Sequence, residues 1–275
     1  MPAWAGNKWP QLVPVRTVTT QAQDLPVRLK AIGTVTALNS VTVRSRVDGQ
    51  LLRVAFEEGQ KVEKGELLAE IDPASYRIRL AQMEGQLKQA TAQVASARGD
   101  LERIRNLHRQ NLVTTQELDI QEALVAQREG SQAAAQALVD DAQLQLAYTR
   151  IEAPLSGRVG IRRIDAGNLV KQTDTNGLVS LTQTSPITVS FTIAEVDLPK
   201  VLVPFKAGQT LTVEAWDRSD KTLLAKGVLR TVDNQIDITT GTLRLKAEFP
   251  NEKEELFPNQ FVNIRLQVDT LSKAM

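Results

Sequence analysis

Residues 74–147 contain no proline and only three glycines, Gly85, Gly99 and Gly130, and they are rich in Ala, Gln, Leu, Glu and Arg. In their first half apolar residues recur every 3.5 positions. Leu80, Leu87, Val94 and Leu101 are spaced by seven, and Met83, Ala90, Ala97 and Ile104 follow each by three. That is the a/d pattern of a coiled-coil seam. The pattern lapses at His108 and Asn111. Thr114 and Glu117 then fit a capping box, so a second helix is expected to start there. Its seam is less regular: Leu118, Val125, Val139 and Leu146 keep the spacing, Gln132 breaks it, and Leu124, Ala135, Leu138 and Ala142 widen the stripe. Two helices of about 35 residues, each roughly 50 Å long, are expected. The short connection makes them antiparallel neighbours.

The flanking segments have strand character. Val41, Val43 and Val47 alternate with polar residues, Asp48-Gly49 and Glu58-Gly59 are turn signals, and Asp72-Pro73 ends a strand where a helix opens. A shift of 108 residues superposes the two flanks: Val43 falls on Ile151, Val47 on Leu155, Gly49 on Gly157, Phe56 on Ile164, Gly59 on Gly167 and Val62 on Val170. Such glycine pairs are expected at turns needing positive φ. Each half is too short to bury a core alone. The expectation is one small sandwich of two half-motifs, with the helices inserted at a turn. Downstream, strands are read at 187–193, 211–215, 227–232, 242–249 and 261–268, with turns at Pro204, Gly208, Asp233-Asn234 and Pro258-Asn259, suggesting a small antiparallel barrel.

Composition limits the chemistry. Without cysteine there is no disulfide, thiol nucleophile or cysteine metal site, and His108 is the only histidine. No catalytic, cofactor-binding or metal-binding residues are expected, and no phosphate-binding GxxxxGK[ST] motif occurs. A net charge of +1 and 4% aromatic residues argue against nucleic-acid binding. Met1-Pro2-Ala3-Trp4 has no leader pattern, and the uncharged run 175–194 is too polar, and broken by Pro186, to span a membrane.

Val43-Arg-Ser-Arg-Val-Asp-Gly49 and Ile151-Glu-Ala-Pro-Leu-Ser-Gly157 resemble the two halves of the split biotinyl/lipoyl-like domain of periplasmic adaptor proteins, the membrane fusion proteins of the HlyD-type superfamily. Asp233–Asp237, Thr240-Gly-Thr242 and Leu256–Val262 look like the β-barrel of adaptors serving RND-type multidrug pumps, and Glu214-Ala-Trp-Asp-Arg218 narrows the resemblance to the MdtA type. The implied fold class is mostly β with a long inserted antiparallel α-helical hairpin. The domains would be an N-terminal segment 1–31 with one strand, about 12–19, of a membrane-proximal domain; a split lipoyl-like sandwich, 32–72 and 148–183; a coiled-coil hairpin, 73–147; a β-barrel, 184–270; and a tail, 271–275. The family also carries an N-terminal anchor, a lipidated Cys or a membrane helix, and further membrane-proximal strands, which this sequence does not show.

The resemblance implies a non-catalytic periplasmic adaptor, without cofactor. It would bridge a proton-driven inner-membrane RND transporter and an outer-membrane channel as a hexameric ring. The family's tip pattern for docking the channel maps onto Arg103, Leu107 and Thr114, with Thr where the family has Ser; His108 and Arg109 are possible contributors. The register places Arg103 at c and Leu107 at g, off the seam. His108 is expected to be solvated. Alternatives are an adaptor of an ABC-type, type I secretion or heavy-metal exporter, or a swinging-arm carrier. The carrier needs a modified lysine on a β-turn, whereas Lys88, the only lysine of the helical region, is mid-helix.

Overall fold

The structure, a computed structural model, describes residues 1 and 22–274. The strand expected at about 12–19 lies outside the described residues. In chain order the elements are β1 (Gln23–Ala37), β2 (Ser40–Val43), β3 (Gly49–Val54), β4 (Lys61–Val62), β5 (Leu67–Ile71), α1 (Ala74–Arg109), α2 (Thr115–Ala147), β6 (Arg150–Glu152), β7 (Gly157–Val159), β8 (Leu169–Val170), β9 (Val179–Thr182), β10 (Ile187–Ala194), α3 (Leu198–Lys206), β11 (Thr212–Trp216), β12 (Leu223–Asp237), β13 (Thr242–Phe249) and β14 (Phe261–Ala274). The described residues divide into two compact units, one of residues 22–35 with 188–250 and 259–274, the other of 36–187 with 251–258.

The second unit holds two four-stranded sheets, β2-β9-β7-β4 and β6-β5-β3-β8. The 108-residue shift carries β2, β3 and β4 onto β6, β7 and β8, and with a four-residue insertion β5 falls on β9, so the repeat turns one sheet into the other. Each sheet takes two strands from each half-motif, and neither half can close its core alone. Leu51, Leu68, Ile71, Val159, Val179 and Leu181 are buried together between the sheets. The glycine pairs divide. Gly59 and Gly167 both adopt positive φ, 77° and 93°. Gly157 instead meets a close approach: a Cβ there would stand 2.6 Å from Thr182 O.

The helices leave and re-enter between paired strands. Asp72 Oδ1 accepts a hydrogen bond from Ala74 N at 2.9 Å, starting α1. At the other end Ile71 N donates to Thr149 O at 2.8 Å. Between them α1 and α2 run antiparallel, as the cross-helix partners show: Arg105 with Glu122 at 2.7 Å, Arg98 with Glu129 at 2.6 Å, and Gln132 Nε2 donating to Thr91 Oγ1 at 3.0 Å. The a/d residues of α1 from Leu80 to Ile104 are all buried or half-buried. In α2 the same 3–4 spacing runs through Leu118, Gln121, Val125, Arg128, Gln132, Ala135, Val139, Ala142 and Leu146. Gln132 therefore continues the seam it was expected to break. The polar members are satisfied across it: Gln121 Nε2 donates to Ala97 O at 3.3 Å and Arg128 Nη1 to Gln93 Oε1 at 3.0 Å. Leu138, expected to widen the stripe, is exposed.

The first unit is a closed six-stranded barrel, β1-β10-β13-β12-β11-β14. β10 and β13 alternate strictly, sending Val189, Phe191, Leu245 and Phe249 inward. Two expected boundaries are corrected. Residues 23–31 are not part of a separate N-terminal segment but pair with β14, Leu29 opposite Leu266 and Ala31 opposite Ile264. β14 continues through the expected tail to Ala274. Pro26 and the exposed Leu25 and Ile32 blur the alternation of β1, which hid the strand. At its centre Gly33 admits Val189 and Ile264, each less than 3.0 Å from where a Cβ would sit.

These placements set the stability of the chain at two points. Gly85, Gly99 and Gly130 have open space where a Cβ would go. Replacing each by Ala should stabilise the chain by up to ~1 kcal/mol in urea unfolding, whereas Gly157→Ala should destabilise it. Glu254 accepts from Lys61 Nζ at 2.8 Å and lies 2.5 Å from Arg158 Nη2. The Lys61 hydrogen bond chiefly, helped by Arg158 and opposed by desolvation, holds its carboxyl below the usual carboxylate range. A depressed folded pKa contributes stability above the unfolded value, lost as pH falls through the folded one. Acid melts from about pH 6 to 3 should therefore show Glu254→Gln less stable near neutrality and less sensitive to acid below about pH 4.5.

Candidate functional site

The end of the helix pair opposite the sandwich is built by two capping motifs in succession. At the C-terminus of α1, Asn111 N donates to His108 O at 2.9 Å and Leu112 N to Leu107 O at 3.0 Å. Asn111 adopts φ 56° between them. This is a Schellman motif with Asn, the residue other than Gly best suited to the left-handed region, at its pivot. Three residues later Thr114 caps α2. Its hydroxyl accepts from Glu117 N at 3.3 Å, and its own N–H donates to Glu117 Oε2 at 2.8 Å. Val113 and Leu118 occupy the N′ and N4 positions of a hydrophobic staple. The turn is thus specified almost residue by residue.

Arg103, Leu107 and Thr114 all fall in this region. Leu107 is off the seam and 37% exposed. Arg103, on the outer face, pairs with Asp100 one turn earlier. Thr114 is exposed, with its hydroxyl engaged in the cap. Arg109 pairs with Asn106 of its own helix. His108 differs from expectation. It is half-buried and continues the heptad spacing of Val94 and Leu101, and its Nε2 lies 3.5 Å from Thr115 Oγ1 across the pair. It closes the last layer of the seam rather than standing in solvent. Two exposed apolar residues were missed by sequence reasoning: Leu112 at 67% and Ile120 at 59%.

A second built turn joins β12 and β13 in the barrel. Asp237 Oδ1 accepts from Thr239 N at 2.9 Å and from Thr239 Oγ1 at 2.5 Å, and Gly241 N donates to Asp237 O at 2.8 Å. These hydrogen bonds, led by the Thr239 hydroxyl, hold the Asp237 carboxyl below its usual range. The turn presents Ile238 almost fully to solvent. Among the described residues no group of three or more acidic or His side chains is arranged to hold a metal, and no helix is long and apolar enough to cross a membrane.

Comparison with known proteins agrees with this architecture. Residues 39–182 match the barrel-sandwich hybrid domain of RND membrane fusion proteins, and residues 186–270 match the β-barrel domain of the same proteins. The multidrug resistance protein MdtA of Cronobacter turicensis is 52% identical over 262 residues, 95% of this chain and 63% of that protein. MdtA of an Escherichia coli strain is 50% identical over 270 residues, 98% of this chain and 65% of that protein. The chain thus spans just under two thirds of the length of these relatives. Among solved structures, a membrane fusion protein of Streptococcus pneumoniae matches 88% of this chain and 99% of its own, with TM-score 0.66 and 17% identity. A MacA–MexA chimera carrying the Pseudomonas aeruginosa MexA α-hairpin matches 92% of this chain and 82% of its own, with TM-score 0.60 and 23% identity. At such identities the structures speak to the fold alone. With two domain models covering well over half of its residues, the chain belongs to the RND-type membrane fusion proteins.

Proposed function

We propose that the chain is the adaptor of a tripartite multidrug efflux pump. It would link a proton-driven inner-membrane RND transporter to an outer-membrane channel in the periplasm, without catalysing a reaction itself. Membership of the RND membrane fusion family carries this reading. The name multidrug resistance protein, borne by relatives 50% and 52% identical, supports drug export as the setting. The physical character of the chain is consistent with it. Several charged and polar side chains of the helix pair, Arg98, Arg105, Gln121, Arg128 and Gln132 among them, are used in structural pairs, and the lone His serves the seam.

In this reading the helical hairpin is a coiled-coil rod whose tip docks the channel, and several copies, six by the family resemblance, form a ring. Arg103, Leu107 and Thr114 are the docking set. Leu107 would supply apolar contact with Arg103 as its charged neighbour, the mix that concentrates binding energy at interfaces. Thr114 would act by holding the turn, and Leu112 joins the set on the strength of its exposure. His108 would act through seam closure at the tip, and Arg109 from its outer edge. A turn pinned by both caps loses little entropy on docking, which favours affinity without added area.

Two experiments test this. Leu107→Ser combined with Arg103→Asp, in the full-length protein, should abolish complementation of an efflux-deficient strain while leaving unfolding unchanged; wild-type resistance with the double variant would sink the docking assignment. Asn111→Gly should preserve activity, because Gly accepts the left-handed conformation. Asn111→Val should lose both activity and amide protection at 110–114, at a cost of ~1–2 kcal/mol to the turn. Hydrogen exchange beside drug-susceptibility assays reads both.

A further inference from the structure

The sandwich unit carries a groove of about 620 Å³ that has no part in the docking tip. Its position follows from the pseudo-dyad. The segment after β2, Val43-Arg44-Ser45-Arg46, lines one side, and its 108-residue equivalent, Ile151-Glu152-Ala153-Pro154, lines the other. Val43, Ser45, Ile151 and Ala153 are buried and form the floor, while their neighbours in sequence are exposed. β2 and β6 are each the edge strand of a sheet, so the groove opens where both sheets end.

The two arms match in shape and differ in charge. Arg44 and Arg46 stand on one, and Lys64 and Arg150 add two further cations, against the single carboxylate of Glu152. None of these four cations makes an ion pair with a carboxylate among the described residues, whereas Arg53, Arg98, Arg105 and Arg158 in the same unit all do. The arginine arm is also held in place. Ser45 is buried between the exposed Arg44 and Arg46, and its Oγ accepts from Val47 N at 3.1 Å and donates to Val47 O. The Arg46 guanidinium lies 5.0 Å from the centre of the Tyr148 ring, giving the groove a flat aromatic-cationic wall.

We propose that this groove binds a small organic anion, a flat molecule carrying two carboxylate, sulfonate or phosphate groups. Guanidinium forks recognise such groups bidentately, and the Arg46–Tyr148 wall accepts a planar body by stacking. The volume lies within the range of about 300–1,000 Å³ usual for small-molecule sites. The cations stand at the groove rim, so binding should weaken as salt screens them. An extended acidic peptide is the less favoured occupant. The chain leaves its ladder after Val43, and residues 44–46 offer no regular strand for such a peptide to extend.

The test is calorimetric titration of the full chain with naphthalene-1,5-disulfonate, with the neutral naphthalene-1-sulfonamide as comparison. Saturable binding near one per chain is expected for the dianion and none for the neutral compound. Arg44→Gln with Arg46→Gln should weaken it at least ~10-fold, about 1.4 kcal/mol. Tyr148→Leu should weaken it several-fold, with thermal melting to confirm folding, and Arg79→Gln, an exposed arginine on α1, should leave it unchanged. The proposal fails if the dianion does not saturate at millimolar concentration, if the double variant binds like the parent, or if a Glu-rich peptide binds through these arginines while the dianion does not. Because the readout is ligand binding to the isolated chain, failure of the efflux reading would leave this result untouched.

Discussion

The pairing of β5 with β6 governs the rest of the sandwich unit. Ala69 lies opposite Ile151 and Glu70 opposite Arg150, although the whole of α1 and α2 separates them in the chain. Everything between must leave and return at one place, and two antiparallel helices do this with little constraint on their length. The pairing also joins one half-motif to the other. With β7 and β9 taken into the sheet of β2 and β4, the core exists only when both halves are present. The helix pair therefore rises beside one of four strand pairings that join the two halves across the insertion, the others being β2 with β9, β3 with β8 and β4 with β7.

Along the helix pair the controlling quantity is the 3.5-residue spacing, and hydrophobicity is one way of filling it. Ala97, Leu101 and Val125 form a buried cluster at one level, with Leu118 packed against it. Elsewhere Gln121, Arg128 and Gln132 occupy seam positions and donate across to α1. Such polar layers give up some burial, and each hydrogen bond sets the axial register of one helix against the other, as buried polar residues do in coiled coils. Register matters for a rod whose end is a turn of fixed geometry, since a slip of one turn would displace the tip by about 5.4 Å.

What was legible in the sequence follows the same logic. The apolar a/d residues of α1 and the Thr114–Glu117 cap were readable, because each is a local pattern acting through local geometry. The polar seam positions and His108 were not, because a rule that counts apolar residues treats Gln, Arg and His as interruptions; only the facing helix shows them to be satisfied. β1 escaped because its partner β14 lies at the far end of the chain and its outward face carries Leu25 and Ile32. The groove could not have been read at all. Arg44 and Arg150 are ordinary surface cations until the dyad brings their strands together, although the repeat that creates the dyad was visible in Gly59 and Gly167.

The distribution of charge sharpens the division of labour. Across the chain the signs nearly cancel, 33 basic against 32 acidic residues, and most cations near the tip are tied to partners on the helix pair. Pairing there keeps side chains in place and leaves shape and exposed leucine as the distinguishing surface. In the groove the same residue types stand without carboxylate partners. Exposed ion pairs contribute little stability, so a fold gains little by pairing or unpairing them. Their arrangement is then free to serve recognition; in the proposed adaptor the tip would select by contour and the groove by charge.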